Sequence, residues 1–229
     1  NKPEVNNMCG RFVLTADGTQ LQLAFDLNAV PEPHAPRFNI APSQPIAVIT
    51  NDNPHDLTFF KWGLVPSWAK DPSMGNKMIN ARSETAFEKP AFRSAFKRRR
   101  CLIPADGFFE WQKREGGKVP MFIHMDDYSL FAFAGLWEVW HSPDGGELRT
   151  ATILTTSPNE LMSTIHDRMP VILERKDYEQ WLAPGDVKPE SLMPLMKPFD
   201  ASRMAAHAVS TYVNSPGNDS PETIEPIAS

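Results

Sequence analysis

Apolar and polar residues alternate over short runs along most of the chain, and turn-forming residues separate the runs. This pattern predicts strands at 11–14, 46–50, 57–62, 101–104, 107–112, 119–124, 130–140, 148–155 and 205–211. Helical spacing of apolar positions is rarer, and predicts helices at 19–27, 159–164 and 176–182, with two turns inside 83–96. Strands dominate and do not alternate regularly with helices. The fold expected is therefore α+β, a single domain with a central, mostly antiparallel, barrel-like β-sheet and short flanking helices, rather than a doubly wound sheet. Residues 1–7 are polar and patternless and read as an N-terminal extension. Residues 214–229, rich in Ser, Pro, Asn, Asp and Glu, read as a polar C-terminal surface tail. The domain proper is expected to run over 8–213.

Composition narrows this picture. The 22 prolines among 229 residues, scattered throughout, cut short any long helix and exclude a coiled coil or helical bundle. The only cysteines are Cys9 and Cys101, too few for a disulfide scaffold and in keeping with a reduced, cytoplasmic chain. No apolar stretch approaches the roughly 20 residues needed to cross a bilayer, and no secretory signal is visible. The net charge of -5 argues, as an average, against nucleic acid. The average hides a local reversal. Residues 77–100 hold eight Lys and Arg against two Glu, an excess of +6, which leaves -11 on the rest. Phe92, Ala95 and Phe96 form an apolar stripe after Pro90, with Arg93, Lys97 and Arg100 on the other side. That side is either a solvated face or a surface that tracks phosphates. Trp62, Trp68 and Trp111 are either core residues or aromatic platforms for bases.

Candidate chemistry is sparse. The six histidines and two cysteines show no CxxC, HxxxH or HExxH spacing, and no GxGxxG or GxxxxGK[ST] loop is present, so neither metal nor cofactor is expected. Cys9 follows Met8 and opens the first strand. A cysteine at residue one carries a free α-amine with a pKa of about 7.7–8.0, against about 10.4 for Lys, and is far more often unprotonated at neutral pH. Such an amine can form an imine with an aldehyde, and the thiol of the same residue can close a five-membered thiazolidine at high effective concentration. The plain alternative is an inert small residue, which is the reading taken for Cys101. Within Gly107-Phe108-Phe109-Glu110-Trp111-Gln112, period two puts Phe109 and Trp111 on one face and Phe108, Glu110 and Gln112 on the other. Glu110 is then either a partly buried carboxylate suited to proton transfer or a solvated strand residue. His166, in a loop between a short helix and a strand, is either a general acid or base or a structural histidine. Asn80 precedes a helical segment and could simply cap it.

Taken together and in order, these blocks resemble the SOS response-associated peptidase (SRAP) family, the abasic-site processing proteins. The resemblance spans residue 8 to about 211. It is carried by Met8-Cys9-Gly10-Arg11-Phe12, Arg37-Phe38-Asn39-Ile40-Ala41-Pro42 and Trp62-Gly63-Leu64-Val65-Pro66-Ser67-Trp68. Ile79-Asn80-Ala81-Arg82-Ser83-Glu84, the run from Arg99 through Asp106-Gly107-Phe108-Phe109-Glu110-Trp111, and Ile165-His166-Asp167-Arg168-Met169-Pro170 complete it. The resemblance implies a cysteine exposed as residue one that crosslinks to the ring-opened aldehyde of an abasic site in single-stranded DNA. It puts the nucleophile on Cys9, with Asn80, Glu110 and His166 as partners. Arg11, Arg82 and Arg168 are then expected on phosphates, with Trp68 and Trp111 stacking or wedging. The family name implies a peptidase-like ability to expose the cysteine, an imine permits lyase activity, and a monomer is expected. With residues 1–8 attached, Cys9 has no free α-amine, so the reaction requires a chain that starts or is cut at the Met8-Cys9 bond. Two other readings stay open: a thiol peptidase using Cys9 and His166, and a non-enzymatic binder of single-stranded or modified-base DNA.

Overall fold

The computed structural model describes residues 10–32 and 34–227; Cys9, Met8 and the 1–7 extension lie outside the described residues. In chain order the strands are β1 (Phe12–Leu14), β2 (Arg37–Ile40), β3 (Pro45–Thr50), β4 (Asn53–Trp62), β5 (Asn80–Arg82), β6 (Arg100–Ala105) and β7 (Gly107–Arg114). They continue as β8 (Gly117–Met125), β9 (Phe131–His141), β10 (Glu147–Thr156), β11 (Met169–Pro170), β12 (Ile172–Leu173) and β13 (Met204–Ala208). Among the described residues five short α-helices intervene: α1 (Gly18–Phe25), α2 (Arg93–Arg98), α3 (Glu160–Ser163), α4 (Tyr178–Trp181) and α5 (Pro189–Leu192).

Strands β4, β3, β6, β9 and β10 pair in that order, and β10 returns to β4, so five strands close into a barrel. The closing pair is parallel, with Thr150 opposite Lys61 and Ala151 opposite Trp62; the other four are antiparallel. Closure leaves the barrel without free edges. Its interior explains the long apolar run of β9, where Phe131 through Leu136 are all buried. Gly135 is required there, because a Cβ would stand 2.7 Å from the Cys101 sulfur. A second, five-stranded antiparallel sheet in the order β13-β8-β7-β1-β2 packs on the barrel. Phe12 joins the two layers, meeting Trp62 and Phe133 edge-on at 5.2 and 5.7 Å.

The nine expected strands are all present, with ends displaced by up to four residues. β2, β5, β11 and β12 escape the pattern because each is two to four residues long and defined by a distant partner. The last strand ends at Ala208 rather than 211: Ser210 accepts from the Tyr212 amide and starts a 3-10 turn at Thr211–Asn214. The two helical turns expected over 83–96 reduce to turns followed by the six residues of α2. Arg100, expected on the outer face of that helix, instead opens β6 and is fully buried. Its guanidinium donates to the carbonyls of Phe96, Lys97, Trp181 and Ala183. Burial lowers its pKa to about 10. Residues 214–227 are largely exposed yet anchored. Asp219 accepts from the backbone amides of Phe38 and Asn39, and the Thr223 hydroxyl donates to the Phe38 carbonyl. Among the described residues no helix is long and apolar enough to cross a membrane.

Candidate active site

The first described residue, Gly10, leads into β1, which pairs antiparallel with β7: Phe12 faces Phe108, and the Phe109 amide donates to the Arg11 carbonyl at 3.0 Å. The two faces of β7 divide as period two requires. Phe109 and Trp111 pack with Val13, Phe122 and Val213, while Phe108 belongs to the main core. Glu110 shares the Phe108 face and is 2% exposed, opposite Met121 on β8. It is therefore a buried carboxylate and not a solvated strand residue. Two residues on, the Gln112 side-chain Nε2 donates to the Thr164 carbonyl at 2.7 Å and ties this strand to the loop that carries His166.

That loop runs from α3 to β11, as the sequence predicts for His166. The Arg168 amide donates to His166 Nδ1 at 3.2 Å, which makes Nδ1 an acceptor and leaves the proton of the neutral ring on Nε2. An Asp167 carboxylate oxygen 3.0 Å from the same Nδ1 favours the opposite assignment. Asp167 is 81% exposed and screened by solvent, so the backbone contact governs. Nε2 has no hydrogen-bond partner among the described residues.

Asn80 sits on β5, not at a helix cap. β5 pairs in parallel with the end of β10, Asn80 opposite Ile153 and Arg82 opposite Thr155. The loop after it is gripped by Arg168, whose two terminal nitrogens hold the Glu84 carboxylate at 2.5 and 2.8 Å while one also reaches the Thr155 carbonyl at 2.8 Å. Arg168 pulls Glu84 below its ordinary carboxyl pKa. One residue thus links His166, β5 and β10. Beside Asn80 opens a cleft of about 410 Å³ lined by Trp68, Arg82, Lys89 and Phe92 among others. Trp68 is 57% exposed at its rim, its indole N–H 3.4 Å from the Pro90 carbonyl. Arg82 is exposed on the same cleft.

The remaining expected contact residues also make internal bonds. Arg11 donates to the carbonyls of Val213 (2.8 Å) and Asn214 (3.2 Å), and lies 6.0 Å over the Trp111 ring. The Trp111 indole donates to Asn214 Oδ1 at 2.8 Å. Both residues hold the C-terminal segment in place. The basic run is likewise divided: Lys97 and Arg98 meet Asp186, Arg99 meets buried Glu138, and Arg100 is internal. Glu84, Asn39 and Gln112 have roles that their places in the sequence do not announce. Glu84 and Asn39 lie inside the motif blocks, and Gln112 shares Glu110's face; only their long-range bonds reveal what they do. Among the described residues no cluster of three or more His, Cys, Asp or Glu is placed to hold a metal ion.

The chain is similar in sequence and fold to known proteins. The family described as SOS response associated peptidase (SRAP) matches residues 8–216. The chain is 49% identical over 222 residues to the "abasic site processing protein YoqW" of Bacillus subtilis, covering 95% of this chain and 99% of that protein. It is 41% identical over 195 residues to the "abasic site processing protein HMCES" of Gallus gallus, with 75% of this chain matched to 57% of that longer protein. A crystal structure of a Bacteroides thetaiotaomicron protein superposes with a TM-score of 0.85 at 27% identity, over 96% of this chain and all of that one. With the family match extending over nearly the whole chain, and near-complete relatives at this identity, the chain belongs to the SOS response associated peptidase family.

Proposed function

We propose that this protein captures abasic sites in single-stranded DNA as a covalent thiazolidine on Cys9, once that residue is the first of the chain. The observation that carries the reading is the position of His166. Its loop is tied through Gln112 and Thr164 to the strand bearing Glu110, and through Arg168 to Glu84 and Thr155 beside the strand bearing Asn80. The relatives named as abasic site processing proteins give the substrate class.

The chemistry balances without a cofactor. The α-amine of Cys9 adds to the C1′ aldehyde of the opened sugar, and the carbinolamine loses water to give an imine. The thiol sulfur then adds to the imine carbon and its proton passes to the nitrogen. One water is lost overall. In this reading the buried Glu110 carboxyl moves protons during ring opening and loss of water, and the Nε2–H of neutral His166 donates a hydrogen bond to the departing oxygen. Asn80 orients the intermediate. Arg82 and Trp68, both exposed on the cleft, hold the backbone and a base next to the lesion. Arg168, Arg11 and Trp111 also contact the strand; Arg168 at the same time braces the His166 loop through Glu84 and Thr155, and Arg11 and Trp111 brace the C-terminal segment.

The test is a chain beginning at Cys9, mixed with single-stranded DNA carrying one abasic site and run under denaturing conditions. A crosslink is expected, lost in Cys9→Ala and slowed at least tenfold in His166→Ala or Glu110→Gln. A crosslink that survives Cys9→Ala overturns the proposal. Cleavage of the Met8-Cys9 bond that needs Glu110 or His166 would add the self-processing peptidase activity, and strand scission from the imine the lyase activity.

A further inference from the structure

We infer that a second, basic groove beyond the cleft carries the phosphodiester backbone of the single strand as it leaves the lesion. The inference rests on the capture reading and extends it to residues that reading does not use. The groove, of about 620 Å³, is lined among others by Phe87, Arg93, Lys97, Arg98, Asp186 and Lys188. It follows the Trp68–Asn80 cleft directly along the chain: Phe92 lines the cleft, and Arg93, the next residue, lines the groove. A strand crossing residues 89–93 would pass directly from one to the other.

The charge distribution in this groove opposes local stability. Arg93 is the first residue of α2, where a cation meets the positive end of the helix dipole, and the first turn has neither an acidic residue nor a side-chain cap. Lys97 follows four residues later on the same face, where like charges repel. Four cations line the groove against one carboxylate, Asp186, which Lys97 and Arg98 share at 2.7 and 2.8 Å. Arg93 and Lys188 form no ion pair among the described residues. A net of +3 on a protein of charge -5 has no internal use that the structure reveals, and a polyanion supplies the missing partner. Half-buried Phe87, packed edge-on against buried Phe96 at 6.0 Å, offers an apolar floor for sugars and bases. A single-stranded phosphodiester chain meets both requirements.

The experiment uses the full chain with Cys9→Ser, so that binding is non-covalent. Two single-stranded oligonucleotides share a central abasic analogue; one extends only to its immediate neighbours, the other several nucleotides further on both sides. Anisotropy titrations at several salt concentrations compare the parent with Arg93→Gln/Lys188→Gln, which keeps both side-chain stems. On the long strand the variant is expected to bind roughly tenfold more weakly, with a salt slope lower by about 1.4 for two lost phosphate contacts. On the short strand it binds as the parent does. Unchanged affinity on the long strand overturns the groove, and so does an equal loss on both strands. Failure here is distinct from failure of the capture reading. A chain starting at Cys9 that still crosslinks the short strand leaves capture standing while the groove falls, and length-dependent binding without any crosslink does the reverse.

Discussion

Arg168 and Glu84 illustrate how much a single residue's role depends on its neighbours. The sequence placed Arg168 among phosphate-binding candidates, yet its guanidinium is 14% exposed and already engaged by Glu84 and the Thr155 carbonyl. The folded carboxyl of Glu84 titrates below its ordinary 4.5, chiefly through the bond from Arg168. The pair's contribution to stability is therefore complete above about 4.5 and is lost as pH falls through the folded value. Glu84→Gln is expected to cost about 1 kcal/mol or less at neutral pH, because the carboxylate is half exposed, and to slow crosslinking by loosening the His166 loop. Thermal melts should show the difference between wild type and variant shrinking as pH drops below that value; a constant difference would deny the pair this role. Cys101 supports a second measurement. It is fully buried, and burial pushes its thiol pKa well above 9. Iodoacetamide should leave it unmodified in the native chain and alkylate it after denaturation, so mass spectrometry of the native protein reads Cys9 alone.

Among the elements, the barrel strands were legible because each carries enough residues for period two to emerge against burial on one or both faces. β5 was not, although it bears Asn80, Arg82 and the approach to the cleft. Three residues cannot display a period, and β5 is a strand only because β10 runs on past its pairing with β4 and pairs with it at residues 153–155. Its position is set upstream by a close backbone approach. Gly63 has φ +123°, and a Cβ there would stand 2.5 Å from the Gly75 carbonyl oxygen. The same approach seen from Gly75 brings a Cβ to 2.6 Å from the Gly63 carbonyl. No side chain at the far end of a flexible stem can yield here, since backbone meets backbone. Gly63→Ala is expected to cost about 2 kcal/mol or more, combining the left-handed backbone with the overlap. Between these glycines lies Trp68, and after them Asn80, so the variant should also lose affinity for single-stranded DNA more than its melting temperature alone implies. Denaturant unfolding and a binding titration on the same sample separate the two effects.

At the scale of the whole molecule, the C-terminal segment is where sequence and structure diverge most, and the reason is contact distance. Composition marks 214–229 as polar and unpatterned, correctly as far as exposure goes. What orders it is a set of bonds spanning about 180 residues of chain, which no local window can register. Asn39 is their centre. It is fully buried, accepts from Arg11 at 3.2 Å, and its amide nitrogen reaches the carbonyls of Val213, Ser215 and Asn218 at 3.1, 3.0 and 2.8 Å. Two hydrogens serve three acceptors, so at least one is shared. Asp219 fixes the other side through Arg37 and the amides of Phe38 and Asn39. The segment in turn holds Arg11, two residues from Cys9, and Trp111, next to Glu110. The ordering of residues 213–219 and that of β1 are thus coupled through Asn39 and Arg11. Asn39→Ala strips donors from three carbonyls and the acceptor from a half-buried guanidinium, for about 1–3 kcal/mol. For a chain of this length each kcal/mol lowers the melting temperature by about 2–4 °C. Hydrogen exchange should show lost protection over 211–227 and at β1 together, and crosslinking should slow in proportion. Asn39→Asp keeps the acceptor for Arg11 but loses the donors, so it should free 213–218 while leaving β1 the better protected of the two. If β1 and the C-terminal segment instead open independently in Asn39→Ala, the coupling between the two is refuted.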